Sequence, residues 1–66
     1  MRDPNRLFNF YNELCRLHMT YQPDIRFGQF VYNFNSWLKE YKHIDIFFPE
    51  ENEMIIYLKE YCGEKV

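Results

Sequence analysis

Cysteine and glycine are scarce in this chain, with two of each among 66 residues. Cys15 and Cys62 are too few for a disulfide scaffold, so packing must hold the fold. Reduced thiols and a cytosolic setting are expected, in a bacterial host cytoplasm if the chain is phage-encoded. There is no glycine-rich phosphate loop, no catalytic motif and no metal box of recognisable spacing. No segment approaches the roughly 20 apolar residues of a membrane span. Met1 is followed by Arg2-Asp3-Pro4-Asn5-Arg6 and not by the apolar run of a signal peptide. Charge of one sign is lacking too. The net value is −2, with acids and bases interspersed, so no long-range field draws the chain to nucleic acid or an anionic membrane. Repeats, low-complexity runs and linkers are absent, which leaves one domain over residues 1–66.

Rings are what the chain has in abundance: seven phenylalanines, six tyrosines and one tryptophan. Each can bury roughly 150–250 Å². Three short helices cannot hide all of them, so some are expected to meet a partner or a second copy.

The central stretch organises the rest. At about 100° per residue, Phe27, Phe30, Val31, Phe34, Trp37, Leu38 and Tyr41 fall in one arc of about 120°. Asp24 stands where an N-cap belongs, behind Pro23. Upstream, Asp3 and Pro4 mark a helix start. The apolar positions from Leu7 to Tyr21 then cover an arc of about 200°, wider than one neighbour can bury. The short Tyr21–Asp24 turn makes the first and central helices antiparallel neighbours. His43–Phe48 is read as an irregular apolar connector plugging the end of the bundle, because a lone strand would have no partner. Pro49, with Glu50, Glu51 and Glu53, starts a third helix, and Gly63 stops it. Glu64-Lys65-Val66 reads as a loose tail. The expected fold is an all-α three-helix bundle, with helices at about 4–20, 25–42 and 50–62.

The motif Pro23-Asp24-x-Arg26-Phe27-Gly28-Gln29 with Asn33, then Asp45-x-Phe47-Phe48-x-Glu50-Glu51-x-Glu53, resembles a group of small uncharacterised proteins of Firmicutes and their phages. The pattern covers about half the chain and departs at Pro49, where an aliphatic residue is expected. The resemblance implies a small helical protein of phage or prophage origin, and carries no assigned activity.

Cys15 and His18 share a helix face and could present two ligands to zinc, with His43 and Cys62 completing a set. The plainer reading makes Cys15 a small hydrophobe and His18 an edge of the core. The same pair, oriented by Asp45 or Glu13, would suit a Cys–His nucleophile, but nothing marks a pocket. No catalytic residue, metal or cofactor is therefore assigned. Glu50, Glu51 and Glu53 suit a helix dipole better than a cation. A helix-turn-helix reading through Arg26, Lys39 and Lys42 lacks a dense basic cluster.

Two apolar residues stand outside their helical arcs. Tyr32 projects between Gly28 and Ser36, whose small size would admit another backbone, and Ile56 points away from the third helix's inward face. With Ile25, these residues form the expected interface, and Arg26 is expected to pair with Glu50, Glu51 and Glu53 to set orientation. The function expected is a non-catalytic protein-interaction module, homodimeric, and the resemblance to phage proteins implies an inhibitor of a host or defence protein. The alternatives are a small nucleic-acid-binding regulator and a structural subunit of a larger assembly.

Overall fold

Asp3 begins the first helix through two backbone-directed contacts. Its carboxylate accepts from the Asn5 N–H at 3.0 Å, and its carbonyl accepts from the Arg6 N–H at 3.2 Å. The computed structural model describes residues 2–65. It contains α1 (Asn5–Tyr21), α2 (Phe27–Trp37), a π-helical turn continuing α2 (Leu38–Lys42) and α3 (Glu51–Cys62). The expected all-α three-helix bundle is the fold observed, with no strand among the described residues.

The elements start and stop for local reasons, some of which differ from expectation. Asp24 does not cap α2. The Ile25 N–H donates to the Gln22 carbonyl across Pro23 and Asp24, so Asp24 is spent inside a turn. Arg26 is the extended residue from which the helix departs, and its carbonyl accepts the first helical bond, from Phe30, at 2.9 Å. At the other end, the π-helical turn spans one more residue per bond than an α-turn. The wider turn rotates Tyr41 off the inward arc, and Tyr41 is exposed while Leu38 is fully buried. His43 then ends the helix in the left-handed region at φ 57°, a place more often taken by glycine.

Helix α3 begins at Glu51, with Glu50 as the residue before it, so Pro49 lies outside the first turn. Gly63 closes α3 at φ 83°. Its N–H donates to Glu60 and the Glu64 N–H to Lys59, the paired bonds of a Schellman motif. Glu64 is also held by Arg16 at 2.9 Å, so it does not belong to a loose tail. Val66 lies outside the described residues.

Packing is uneven. Leu17, Phe30, Phe34, Leu38 and Leu58 form the buried core. Tyr61 of α3 joins α2 by sitting edge-on to Phe30, Phe34 and Trp37, with ring centroids 5.6–6.0 Å apart. By backbone approach α1 lies chiefly against α3, while its Leu17 shares the buried core with Phe30 and Phe34 of α2. The wide apolar arc of α1 thus faces both other helices. Between α1 and α2, His18 is tilted over Phe30 at 4.6 Å, with its Nε2 bonded to the Ile25 carbonyl.

Ion pairs reinforce this arrangement. Arg2–Glu50 (2.7 Å), Arg6–Glu51 (2.9 Å), Arg16–Glu64 (2.9 Å) and Lys59–Glu13 (3.7 Å) tie α1 and its leading residues to α3 and its flanks. Lys42–Glu60 (2.7 Å) ties the π-helical turn to α3. Among the described residues no ion pair joins α1 to α2.

Candidate interaction surface

The seam that α1 and α2 leave open is a groove of about 190 Å³. Phe10, Tyr11 and Leu14 of α1 form one wall, and Phe27, Phe30, Val31 and Phe34 of α2 form the other. Ile46 of the connector closes one end, while Met54 and Leu58 of α3 make the floor. No charged residue lines it. Beyond Tyr11 and Leu14 the trough continues past Cys15 and Phe27 toward His18. Along the α1 rim, Phe8, Tyr11, Cys15 and Met19 are all exposed. Their spacing of three and four residues puts them on one stripe of the helix.

The chain exposes more ring surface than the helices cover. Phe8, Tyr11, Tyr21, Phe27, Tyr32, Tyr41, Phe47 and Phe48 are exposed, eight of the fourteen aromatics. Its accessible surface is 5124 Å², against about 4,600 Å² for a typical monomer of this mass. Isolated exposed apolar residues are ordinary, whereas contiguous ones are the kind of surface found at contact sites.

The connector divides in two. Ile44 and Ile46 pack against the core, as a plug should. Phe47 and Phe48 do not: they are 89% and 80% exposed. They are nonetheless held by a defined turn. The Asp45 carboxylate accepts from the Phe47 N–H at 2.9 Å, and the Asp45 carbonyl accepts from the Phe48 N–H at 3.1 Å.

The residues singled out from sequence are distributed as follows. Tyr32 is 68% exposed, and Gly28, Ser36 and Ile56 are exposed as well. A Cβ added at Gly28 would meet nothing within 4 Å, so no backbone of this chain approaches it. Ile25 is half-buried against the core. Arg26 is not brought to the glutamates of α3. Arg2 takes Glu50 and Arg6 takes Glu51, because α1 is the helix that lies beside the start of α3. Glu53 is exposed and makes no ion pair among the described residues.

Electrostatics follow the ion pairs. Arg6 holds the Glu51 carboxyl below its ordinary range, and Arg16, helped by Lys59, does the same for Glu13. Burial pushes the Cys62 thiol up, which makes it a poor nucleophile at neutral pH. Burial, then Glu64, raises the Tyr21 hydroxyl. Cys15 is exposed with its Sγ 3.6 Å from the Met19 sulfur, while His18 is engaged with the Ile25 carbonyl. Among the described residues no three His, Cys, Asp or Glu side chains converge on a metal-sized site. No helix there is long and apolar enough to cross a membrane.

Set against family models, curated proteins and solved structures, the chain matches none of them. Functional reading therefore rests on the surface itself.

Proposed function

We propose that this chain is a non-catalytic protein-interaction module and that its contact face is the α1–α2 groove with the rings around it. The carrying observation is the wholly apolar trough walled by α1 and α2. Concave apolar sites of this kind take aromatic or aliphatic anchors from a partner, and well-packed aromatic anchors dominate binding energy. The outer patch of Tyr32, Gly28, Ser36 and Ile56 is an alternative made of exposed residues that do not line this groove. The resemblance to phage proteins supports a partner on the host side, such as a defence protein whose surface the module occupies in the host cytoplasm.

The rival reading binds nucleic acid through Arg26, Lys39 and Lys42. It is weakened by the Lys42–Glu60 ion pair, because Lys42 also lies 5.9 Å from the Trp37 ring and is thus committed within the fold. A mobility-shift titration on random duplex at several salt concentrations separates the two, since phosphate binding weakens steeply with salt.

The direct test is selection of short displayed peptides against the immobilised chain, compared with Val31→Arg, which places a charge on the groove wall. Peptides carrying aromatic anchors are expected to be enriched and to lose binding on Val31→Arg while circular dichroism shows the variant still helical. Selected peptides indifferent to Val31→Arg but lost on Tyr32→Glu would move the contact face to the outer side of α2. A tight salt-sensitive duplex complex with no selected peptide would favour the rival.

A further inference from the structure

We infer that the occupant of the groove is a second copy of this chain, which inserts its Phe47–Phe48 turn and receives the same turn in return. The inference rests on reading the groove as the contact face, and it names the partner.

Four observations carry it. The first is fit. An apolar cavity of about 150 Å³ accommodates a benzene ring, so a groove of about 190 Å³ accepts one phenyl side chain with little space left over. Phe47 and Phe48 are the two most exposed large apolar residues of the described chain. One ring seats in the groove, and its neighbour rests on the rim formed by Phe8 and Tyr11.

The second is preorganisation. Both rings sit on a turn pinned by the two Asp45 hydrogen bonds, between Ile46, which is anchored in the core, and Pro49. Little backbone freedom is lost when such a turn docks, and less lost freedom leaves more net affinity.

The third is placement. Ile46 lines the groove, and Phe47 is the very next residue. Knob and hole are thus close together on the chain. A two-fold axis between two copies can set each knob over the other's hole and close the pair, whereas a knob on the opposite side would give head-to-tail rings or open chains.

The fourth is area. At about 200 Å² per ring, the exposed parts of Phe8, Tyr11, Phe27, Phe47 and Phe48 come to roughly 700 Å². This is close to the roughly 800 Å² per partner of a standard stable interface. No charged residue lines the groove itself.

The experiment is sedimentation equilibrium of the intact chain from about 1 µM to 1 mM, alongside three variants. The double variant Phe47→Ala/Phe48→Ala alters only exposed side chains and keeps the fold. It is expected to raise the dissociation constant at least about a hundredfold, because a symmetric pair loses the contact twice. Val31→Trp, filling the groove from its wall, is expected to do the same, and Tyr32→Glu to leave association unchanged. Circular dichroism confirms folding in each case. A wild-type chain that stays monomeric throughout overturns the inference, and so does a dimer that survives loss of both phenylalanines. If that monomer still binds selected peptides through the groove, the interaction-module reading stands and only self-recognition fails. A dimer broken by Tyr32→Glu alone places the interface on the outer face of α2 and overturns the inference as well.

Discussion

Leu17 and Leu58 are both core leucines, 0% and 2% exposed, yet truncating them should not cost the same. Leucine to alanine removes the transfer free energy of the lost methyl groups and adds a penalty for the cavity left behind, for a total of about 2.7–5 kcal/mol. Leu17 is fully buried and does not line the groove, so its cavity stays closed and dry, and Leu17→Ala should fall near the upper end, about 4–5 kcal/mol. Leu58 forms the floor of the α1–α2 groove. Its deletion only deepens a space already open to solvent, and Leu58→Ala should stay near the transfer value, about 3 kcal/mol. Urea unfolding followed by circular dichroism measures the difference. It is best run in the Phe47→Ala/Phe48→Ala background, so that association does not add to apparent stability. A domain of this length has only about 3–10 kcal/mol in total, so Leu17→Ala is expected to be partly unfolded before denaturant is added. In thermal melts, a difference of 1–2 kcal/mol corresponds to about 4–16 °C. Equal losses at both sites, or a larger loss at Leu58, would refute the claim that the groove is open in solution.

Two further predictions follow from the same structure. Gly28→Ala should stabilise the monomer by about 0.5–1 kcal/mol, since the glycine sits in a helix with open space around it; a loss of stability in urea titration would show that some backbone approaches there. Acid should destabilise the fold through Glu13 and Glu51, whose folded pKa values are depressed by Arg16 and Arg6. That stability is present above the ordinary carboxylate pKa and is lost as pH falls through the lower folded value. Melting temperature is therefore expected to be level between about pH 7 and 5 and to drop below about pH 4, with a shallower drop in Glu13→Gln/Glu51→Gln.

The three helices were legible because each carries a stripe of apolar residues at helical spacing, bounded by proline, acidic residues or glycine. The arrangement of those helices was not. The wide arc of α1 demands two apolar neighbours, but periodicity cannot say whether the second is α2 or another molecule. Phe8, Tyr11 and Met19 look the same in sequence whether they are core or surface. The ends of α2 were misplaced for a related reason. Asp24 is as good a turn residue as a cap, and the turn across Pro23 claimed it. Nothing in Leu38–Lys42 announces a π-helical turn, so Tyr41 was counted with the inward residues. Within the connector Ile44 and Ile46 alternate with Asp45 and Phe47. This period of two puts Phe47 on the exposed side with Asp45, though it does not account for Phe48, which is exposed as well.

Charge and hydrophobicity divide the molecule between two seams, and this division is what leaves a face to offer. Each exposed ion pair is weak in isolation, yet those between separate elements all end on α3 or its immediate flanks. They bias α1 toward α3 at both ends, from Arg2 and Arg6 to Arg16. Once α1 is committed there, its remaining apolar stripe cannot also close on α2, because His18 and the Gln22–Ile25 turn fix only the near end of that seam. Part of the apolar surplus therefore lies in a trough that no charge lines. A glutamate at position 14 or 31 would put a charge on one wall and is expected to abolish the trough as an apolar site, because an unpaired carboxylate there keeps water in it.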